Sequence, residues 1–491
     1  MEKLCYKTLA DLNYDGYLLK DAPERVLQFG EGNFLRAFVD YFMDMMNEKA
    51  GFNGKVVLAQ PIAPGLADII NSQEGLYTLF LRGRENGQQV CRKRVISSVS
   101  RCINPYSDFA ALLDCAKNPD LRFIASNTTE AGIAFDPSCK LGDAPQTSFP
   151  GKLTRFLYER WTLKLPGFII LSCELIDHNG EELRKCVEEY IALWQLPAAF
   201  AQWVAEENTF CSTLVDRIVT GYPRNEAAAL CEELGYEDNI LDTGEVFGFW
   251  VIEGPQSIKA ELPFEKADLP ILVTDDHTPY KQRKVRILNG AHTSMIMAAY
   301  LAGQNIVRGC MEDETICGFM NKAIYDEIIP TLDLPKTELE DFAAAVTQRF
   351  NNPYIDHALL SISLNSTAKW KARVMPSLLE YRARTGKLAT CLTFSFAAYL
   401  AFYHGGKTRG ENCLLGQRGA DTYEIKDDQW VLDFFYDHRE DNNAALAHAV
   451  IHNEKMWGDA LVNLVGFEGT VATMLNMIDG AGMYKAIENC L

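Results

Sequence analysis

An amine, a carboxamide and an imidazole stand close together in the run KVRILNGAH, as Lys284, Asn289 and His292. Thr278-Pro279 just upstream is a helix-start cue, because Thr can cap and Pro is favoured at the first helical position. The next helix-stopping glycine is Gly303. On one α-helix, at about 100° per residue, His292 lies about 80° and Asn289 about 140° round from Lys284. The broad face so formed carries the groups needed to move a proton at a carbonyl or alcohol oxygen and to hold that oxygen in place. A free lysine keeps its proton up to about pH 10. Work as a base near neutrality therefore needs burial or nearby cations, which Lys281, Arg283 and Arg286 would supply. The same spacing also suits a helix with a solvated lysine, a capping asparagine and a packed histidine.

The elements that must position these groups follow from the hydrophobic pattern. The first half alternates apolar β-rich runs with helical ones. Arg25–Gly30, Lys55–Gln60, Leu121–Asn127, Gly167–Glu174, Phe247–Gly254 and Pro270–Thr274 read as strands, and Leu76–Gly83 with Val90–Val99 as a hairpin. Near-continuous apolar strands separated by helices indicate a mostly parallel sheet covered on both faces. After Asp275-Asp276 the pattern turns helical: Pro279–Ala302, Asp313–Ile328, Leu339–Phe350, Ala372–Thr385, Thr390–Phe402 and Asp441–Glu454. His404–Asp427, rich in Gly and charge, reads as a long exposed loop. The expected plan is α/β: a Rossmann-like, mostly parallel domain over residues 1–276, then a mainly α-helical domain over 277–491, with the site in the cleft between them.

Composition narrows the function. A chain of 491 residues has room for two sizeable cores. Its net charge of −19 repels phosphate backbones, so nucleic acid is not an expected partner. No apolar run is long enough for a signal peptide near the N-terminus or for a membrane span elsewhere. Fourteen scattered cysteines without a CxxC pair suggest reduced thiols and a cytoplasmic location.

The loop Gly30-Glu31-Gly32-Asn33-Phe34-Leu35-Arg36 follows the first strand and opens a helix. Glycines there allow a tight turn and let a pyrophosphate reach backbone N–H groups at the helix start. The usual third glycine is replaced by Leu35. The second strand ends in Gln60-Pro61 instead of the ribose-gripping carboxylate, and Gln60 could accept a ribose hydroxyl. With no arginine nearby for a 2′-phosphate, NAD is favoured over NADP.

Five blocks, FGEGNFLRAF (29–38), SNTTEAGI (126–133), SCELIDHNG (172–180), LVDRI (214–218) and KVRILNGAH (284–292), occur in the order that resembles the mannitol dehydrogenase family of long-chain polyol-specific dehydrogenases. The resemblance covers nearly the whole chain. It implies a metal-free NAD-dependent oxidoreductase with Lys284 as acid and base, Asn289 holding the reacting oxygen, His292 orienting substrate and Glu130 passing protons to solvent. Asp216 matches a polar position lining the family's site, although an ion pair with Arg217 would equally explain it. The wording of the first and third blocks is most similar to members that interconvert D-tagaturonate and D-altronate. Fructuronate reductases and neutral-polyol dehydrogenases are the alternatives within the family, and a non-catalytic nucleotide sensor is the alternative outside it. Mannitol-type members read SCDN where this chain reads SCEL, so an oxyanion-holding Asn becomes Leu175. Either another donor substitutes, Asn179 or a backbone N–H, or the substrate itself is differently held.

A hexuronate carries a carboxylate, which Arg grips through paired hydrogen bonds. The basic run Lys369-Trp370-Lys371-Ala372-Arg373 makes Arg373 or Lys369 the expected carboxylate partner. The expected partner of the chain is thus a small anionic sugar acid, and its state a monomer or small homo-oligomer. His448 and His452 have the i, i+4 spacing of a helical zinc pair, but AHAVIHNE supplies neither an HExxH glutamate nor an obvious third ligand, so no metal is expected.

Overall fold

The computed structural model describes residues 1–129 and 131–491. The chain forms two compact units, Met1–Gly83 with Gln89–His277, and Arg84–Gln88 with Thr278–Leu491. Among the described residues no helix is long and apolar enough to cross a membrane. The fourteen cysteines form no disulfide.

The first unit holds strands β1 (Glu24–Phe29), β2 (Lys55–Ala59), β3 (Tyr77–Glu85), β4 (Gln88–Ile96), β5 (Val99–Ile103), β6 (Phe123–Ser126), β7 (Ile169–Ser172), β8 (Thr209–Asp216), β9 (Asp242–Glu245), β10 (Phe249–Glu253) and β11 (Ile271–Thr274). The hairpin tip that joins β3 to β4 groups with the second unit. The main sheet runs β11-β10-β8-β7-β6-β1-β2-β5. Strands β5, β2, β1, β6, β7 and β8 are mutually parallel, and β10 is antiparallel to β8. Chain order reverses at β1, where consecutive strands run outward in opposite directions. In such sheets the crevice outside the strands' carboxyl ends at the reversal is where ligands bind. A smaller sheet, β4-β3-β9, holds the expected hairpin.

Alternation within β1 explains the continuous apolar run. Val26 faces one core with Phe38, Phe42 and Trp250, whereas Leu27 and Phe29 face the other with Phe156 and Leu157. The exception, Gln28, is fully buried and donates from Nε2 to the Gly30 carbonyl at 3.0 Å. A polar residue in a core strand thus fixes the loop that follows it.

Strand β5 is a departure from the sequence reading, which ran Val90–Val99 as one strand. The chain turns at Ser97-Ser98. The Ser97 N–H donates to Asp44 at 2.8 Å and the Ser98 hydroxyl to the Asp40 carbonyl at 2.8 Å. Beyond them Val99–Ile103 joins the main sheet beside β2.

Burial leaves its mark on acidity in this unit. Desolvation outweighs the Arg36 guanidinium and pushes the carboxyls of Asp40 and Asp242 up, each to about 7. A folded-state value above the unfolded one means stability that is complete below about pH 4 and lost as pH rises through the folded value. We expect Asp40→Asn to gain stability relative to the native chain between about pH 4 and about pH 7. Urea midpoints across that range test it, and a difference independent of pH would refute it.

The second unit is mainly helical. Thr278–Arg283, Lys284–Asn289 and Gly290–Leu301 follow one another without a break as a single helical rod, 278–301, close to the expected span. Thr390–His404 is buried almost along its whole length and packs on that rod and on Phe467–Ala481. Residues 404–427 correct the expectation of a loop. They form β12 (Thr408–Arg409), β13 (Leu414–Arg418) and β14 (Asp421–Ile425), an antiparallel sheet. Leu414, Tyr423 and Ile425 are buried, and the Tyr423 hydroxyl donates to the Phe402 carbonyl at 2.9 Å. Three apolar anchors spaced among glycines and charges are enough for a sheet but too sparse to show as a pattern.

Candidate active site

Lys284 opens, and Asn289 closes, a π-helical segment within the rod. The Gly290 N–H reaches back to the Val285 carbonyl, five residues away. Rings closed at five residues, not four, carry Asn289 round toward the side of Lys284, so the angle counted for an ideal α-helix overstates their separation. Such bulges are frequent at functional sites because they re-aim side chains. Local contacts sustain this one. The Thr293 hydroxyl donates to the Asn289 carbonyl at 2.9 Å. A Cβ on Gly290 would lie 3.2 Å from the Arg373 carbonyl, so only glycine lets that backbone pass without displacement.

One turn on, His292 is buried among aromatic and cationic groups. Its ring stacks on Phe350 with centroids 3.8 Å apart and planes 9° from parallel, and His357 meets it edge-on at 5.6 Å. Burial first, then His357, Arg349 and Arg373, hold its pKa well below the ordinary imidazole range. His292 is therefore neutral, with one donor and one acceptor nitrogen. Its Nε2 is buried without a hydrogen-bond partner among the described residues. A buried polar atom left open in this way calls for an external partner, and a substrate hydroxyl or carbonyl would satisfy it.

The predicted basic pair belongs to the same cluster. Trp370 is buried, and its indole N–H donates to Ser395 at 3.1 Å. It thereby fixes Ser366–Arg373 so that Lys369 and Arg373, four residues apart, share a face. Arg373 donates toward the Thr293 hydroxyl at 3.5 Å. Lys369 donates to the Ile362 carbonyl at 2.8 Å. Burial, and then the charge of Arg373, lower the pKa of Lys369. Burial lowers that of Arg373 too. The structure adds Arg349 and His357 to the residues the sequence singled out. Arg349 lies in the expected helix Leu339–Phe350 and His357 beyond it, and no spacing signal pointed to either. Of the cations expected beside Lys284, Arg283 is neutralised by Glu338 at 2.6 Å, and Arg286 donates to Ser377 at 3.2 Å.

In the first unit the Gly30 loop lies at the strand reversal. Gly30 has φ +123°, and a Cβ there would stand 3.1 Å from the Asn127 carbonyl. Gly32 caps the helix that follows, and a Cβ on it would meet nothing within 4 Å. Asn33 and Phe34 begin that helix, which continues through a π segment to Ala50, so their N–H groups have no partner within the helix. The residues present fit a dinucleotide, whose pyrophosphate would lie against Gly30, Gly32, Asn33 and Phe34. Arg36 and Gln60 hold the loops instead of facing the space. Arg36 is buried and donates to the Glu31 carbonyl at 3.1 Å and to Asn33 Oδ1 at 2.6 Å. Gln60 donates to the carbonyls of Ile62 and Ala63 at 2.8 and 2.7 Å and accepts from the Ala67 N–H.

Asn179 is also committed. Its amide donates to the carbonyls of Glu174 and Thr213 at 2.8 and 3.0 Å and accepts from the Thr213 N–H at 2.9 Å. Both of its N–H donors are used, so it is not the spare donor the sequence suggested in place of the lost Asn. Leu175 at that position is 63% exposed. Glu174 beside it accepts from the Ser126 hydroxyl and from the Thr128 N–H and hydroxyl, all within 3.1 Å, and so joins the ends of β6 and β7. Asp216 ends β8 and is buried. The Arg217 guanidinium donates to the carbonyls of Phe247 and Ala37. Glu130 lies outside the described residues.

Comparison with known proteins gives the family of the chain. The mannitol dehydrogenase Rossmann domain matches residues 24–266, and the mannitol dehydrogenase C-terminal domain matches residues 276–478. The chain is 47% identical over 477 residues to a protein of Enterobacter sp. (strain 638) named altronate oxidoreductase, covering 95% of this chain and 96% of that one. A Cronobacter sakazakii protein of the same name is 46% identical, covering 98% and 99%. Among solved structures, a D-sorbitol dehydrogenase in substrate-free form superposes with a TM-score of 0.81 at 22% identity, covering 99% of this chain and 100% of that one. Pseudomonas fluorescens mannitol 2-dehydrogenase, in a ternary complex with NAD and D-mannitol, gives 0.68 at 23% identity, covering 99% of each. At that identity these two likenesses concern the fold.

Proposed function

The chain belongs to the mannitol dehydrogenase family, and from that premise we propose that it is an NAD-dependent oxidoreductase interconverting D-tagaturonate and D-altronate, with Lys284 as its acid and base. The observation that carries the substrate class is the open Nε2 of neutral His292 set beside Arg349, Arg373 and Lys369 in a chain of net charge −19. Cations gathered at one place against the trend of the whole chain suit a substrate with a carboxylate. The name shared by full-length relatives at 46–47% identity supports the same reading and the choice of hexuronate.

A bound reduced nicotinamide would supply the hydride in the reductive direction. The work of the chain's own residues is then to manage the charge that develops on the carbonyl oxygen. The Lys284 ammonium donates a proton to that oxygen, and the Asn289 amide donates a hydrogen bond to it as it becomes negative. His292, held neutral and flat against Phe350, orients a neighbouring hydroxyl without adding a charge. Arg373 takes the carboxylate through a charge-assisted bond.

Side-by-side turnover of NADH with tagaturonate, fructuronate and fructose tests the reading. Tagaturonate is expected to give the highest kcat/KM. No turnover with any of the three would favour a sensor protein. A charged hydrogen bond of about 1.5–3 kcal/mol corresponds to roughly 10–150-fold. Arg373→Met is therefore expected to lower kcat/KM for tagaturonate by about that factor and to leave fructose within about threefold. An equal loss on both substrates would remove Arg373 from carboxylate recognition.

A further inference from the structure

His448 sits in the last turn of the helix Asn443–Ile451, and His452 follows its end, so the two imidazoles leave the same face one turn apart. The third ligand that the sequence did not reveal comes from another helix. Glu468 lies in the first turn of Phe467–Ala481, which packs against Asn443–Ile451. One carboxylate oxygen of Glu468 is 3.1 Å from His448 Nδ1, and the other is 3.1 Å from His452 Nε2. The two rings lie 4.1 Å apart and 34° from parallel. All three ligand atoms fall within 4.8 Å of one another.

We propose that His448, His452 and Glu468 form a binding site for a zinc-class divalent cation that links these two helices. Ligands held about 2.0–2.2 Å from a tetrahedral ion lie about 3.3–3.6 Å from each other. The observed separations need only rotamer adjustment to reach that arrangement. Two imidazole nitrogens and one carboxylate oxygen are the donor set of Zn²⁺, Co²⁺, Ni²⁺ and Cu²⁺, and too poor in oxygen for Mg²⁺ or Ca²⁺. Both histidines are exposed and Glu468 is half-buried, so an ion can enter from solvent and keep water as its fourth ligand. The site lies outside the Lys284 constellation, and its role is to fasten Asn443–Ile451 to Phe467–Ala481. The latter helix packs in turn on the buried Thr390–His404.

The test uses the full chain after chelator treatment and dialysis. Titration with ZnCl2 by calorimetry is expected to show one site with a dissociation constant of about 10 µM or tighter. CoCl2 is expected to give the visible absorption of a low-coordinate Co²⁺ ion. His448→Ala, His452→Ala and Glu468→Gln should each weaken Zn²⁺ binding about tenfold or more, and zinc should raise the melting temperature of the native chain but not of His452→Ala. The exposed Cys91 is the competing zinc ligand on the surface, and Cys91→Ser should bind as the native chain does. Absence of saturable binding to the native chain, or binding lost with Cys91 and unchanged without the histidines, overturns the proposal.

Discussion

Replacing Lys284 by alanine is expected to lower turnover of tagaturonate by NADH by about 10²–10⁴-fold, the range that a positioned proton donor contributes. Binding of NADH should be nearly unchanged, because the glycine loop that fits the pyrophosphate belongs to the other unit. The fold should survive. Lys284 is only partly buried, and alanine is the residue that an α-helix tolerates best. Lys284→Arg separates charge from proton transfer. The guanidinium keeps the positive charge but does not release its proton in the working range, so it should not restore the rate. Steady-state rates with both variants, beside NADH titrations, give the answer. A Lys284→Ala enzyme within tenfold of the native rate would mean that water or another group moves the proton.

How much of this could be read in the sequence depends on how local the determinant is. The run KVRILNGAH lies in one helix, so its three reactive side chains were legible together. The glycine loop was legible because a strand, two glycines and a helix follow one another within a few residues. What stayed hidden is what the chain brings together from a distance. Phe350 and His357 flank His292 from segments more than fifty residues away, and neither has a spacing that marks it. Glu468 stands opposite two histidines from a helix of its own. The π segment escaped for another reason: an ideal period assigns every residue the same advance, and one irregular turn reorders a face without changing composition.

Buried polar groups misled in the opposite direction. Asn179, Gln60 and Arg36 sit in motifs that point to ligands, and each spends hydrogen bonds on the protein's own groups, mostly backbone carbonyls. The sequence shows that a polar side chain stands near a site. It does not show whether the donors are already used, because that depends on which carbonyls the fold leaves unpaired. The small sheet β12–β14 is a similar case. Its strands are too short and too mixed in polarity for periodicity to separate them from a loop.

Arg36 is where the largest loss of stability is expected. Its guanidinium, 1% exposed, donates to the Glu31 and Ile240 carbonyls and to Asn33 Oδ1, lies 3.8 Å from the Asp242 carboxylate, and covers the Tyr77 ring at 5.0 Å. Arg36→Met keeps much of the volume and removes every one of these donors. Two buried carbonyls and a buried carboxylate are left without their cation, a change that costs about 3–5 kcal/mol in comparable settings. The sign of the pH dependence follows. Arg36 is what draws the carboxyls of Asp40 and Asp242 down against desolvation, so without it they ionise even less readily. The deficit should therefore be greater at pH 8 than at pH 5, because only at the higher pH must both carboxyls be charged or be held neutral at a cost. Urea midpoints at the two values measure it. The same variant decides between two roles for this arginine. If Arg36 only anchors the loop, the chain without NADH is already destabilised, and saturating NADH recovers part of the loss at most. If Arg36 grips the pyrophosphate, affinity falls while the ligand-free midpoint stays where it was. The guanidinium is 1% exposed, with three of its five N–H groups on Glu31, Asn33 and Ile240, so burial speaks against the second outcome, and observing it would reverse the assignment.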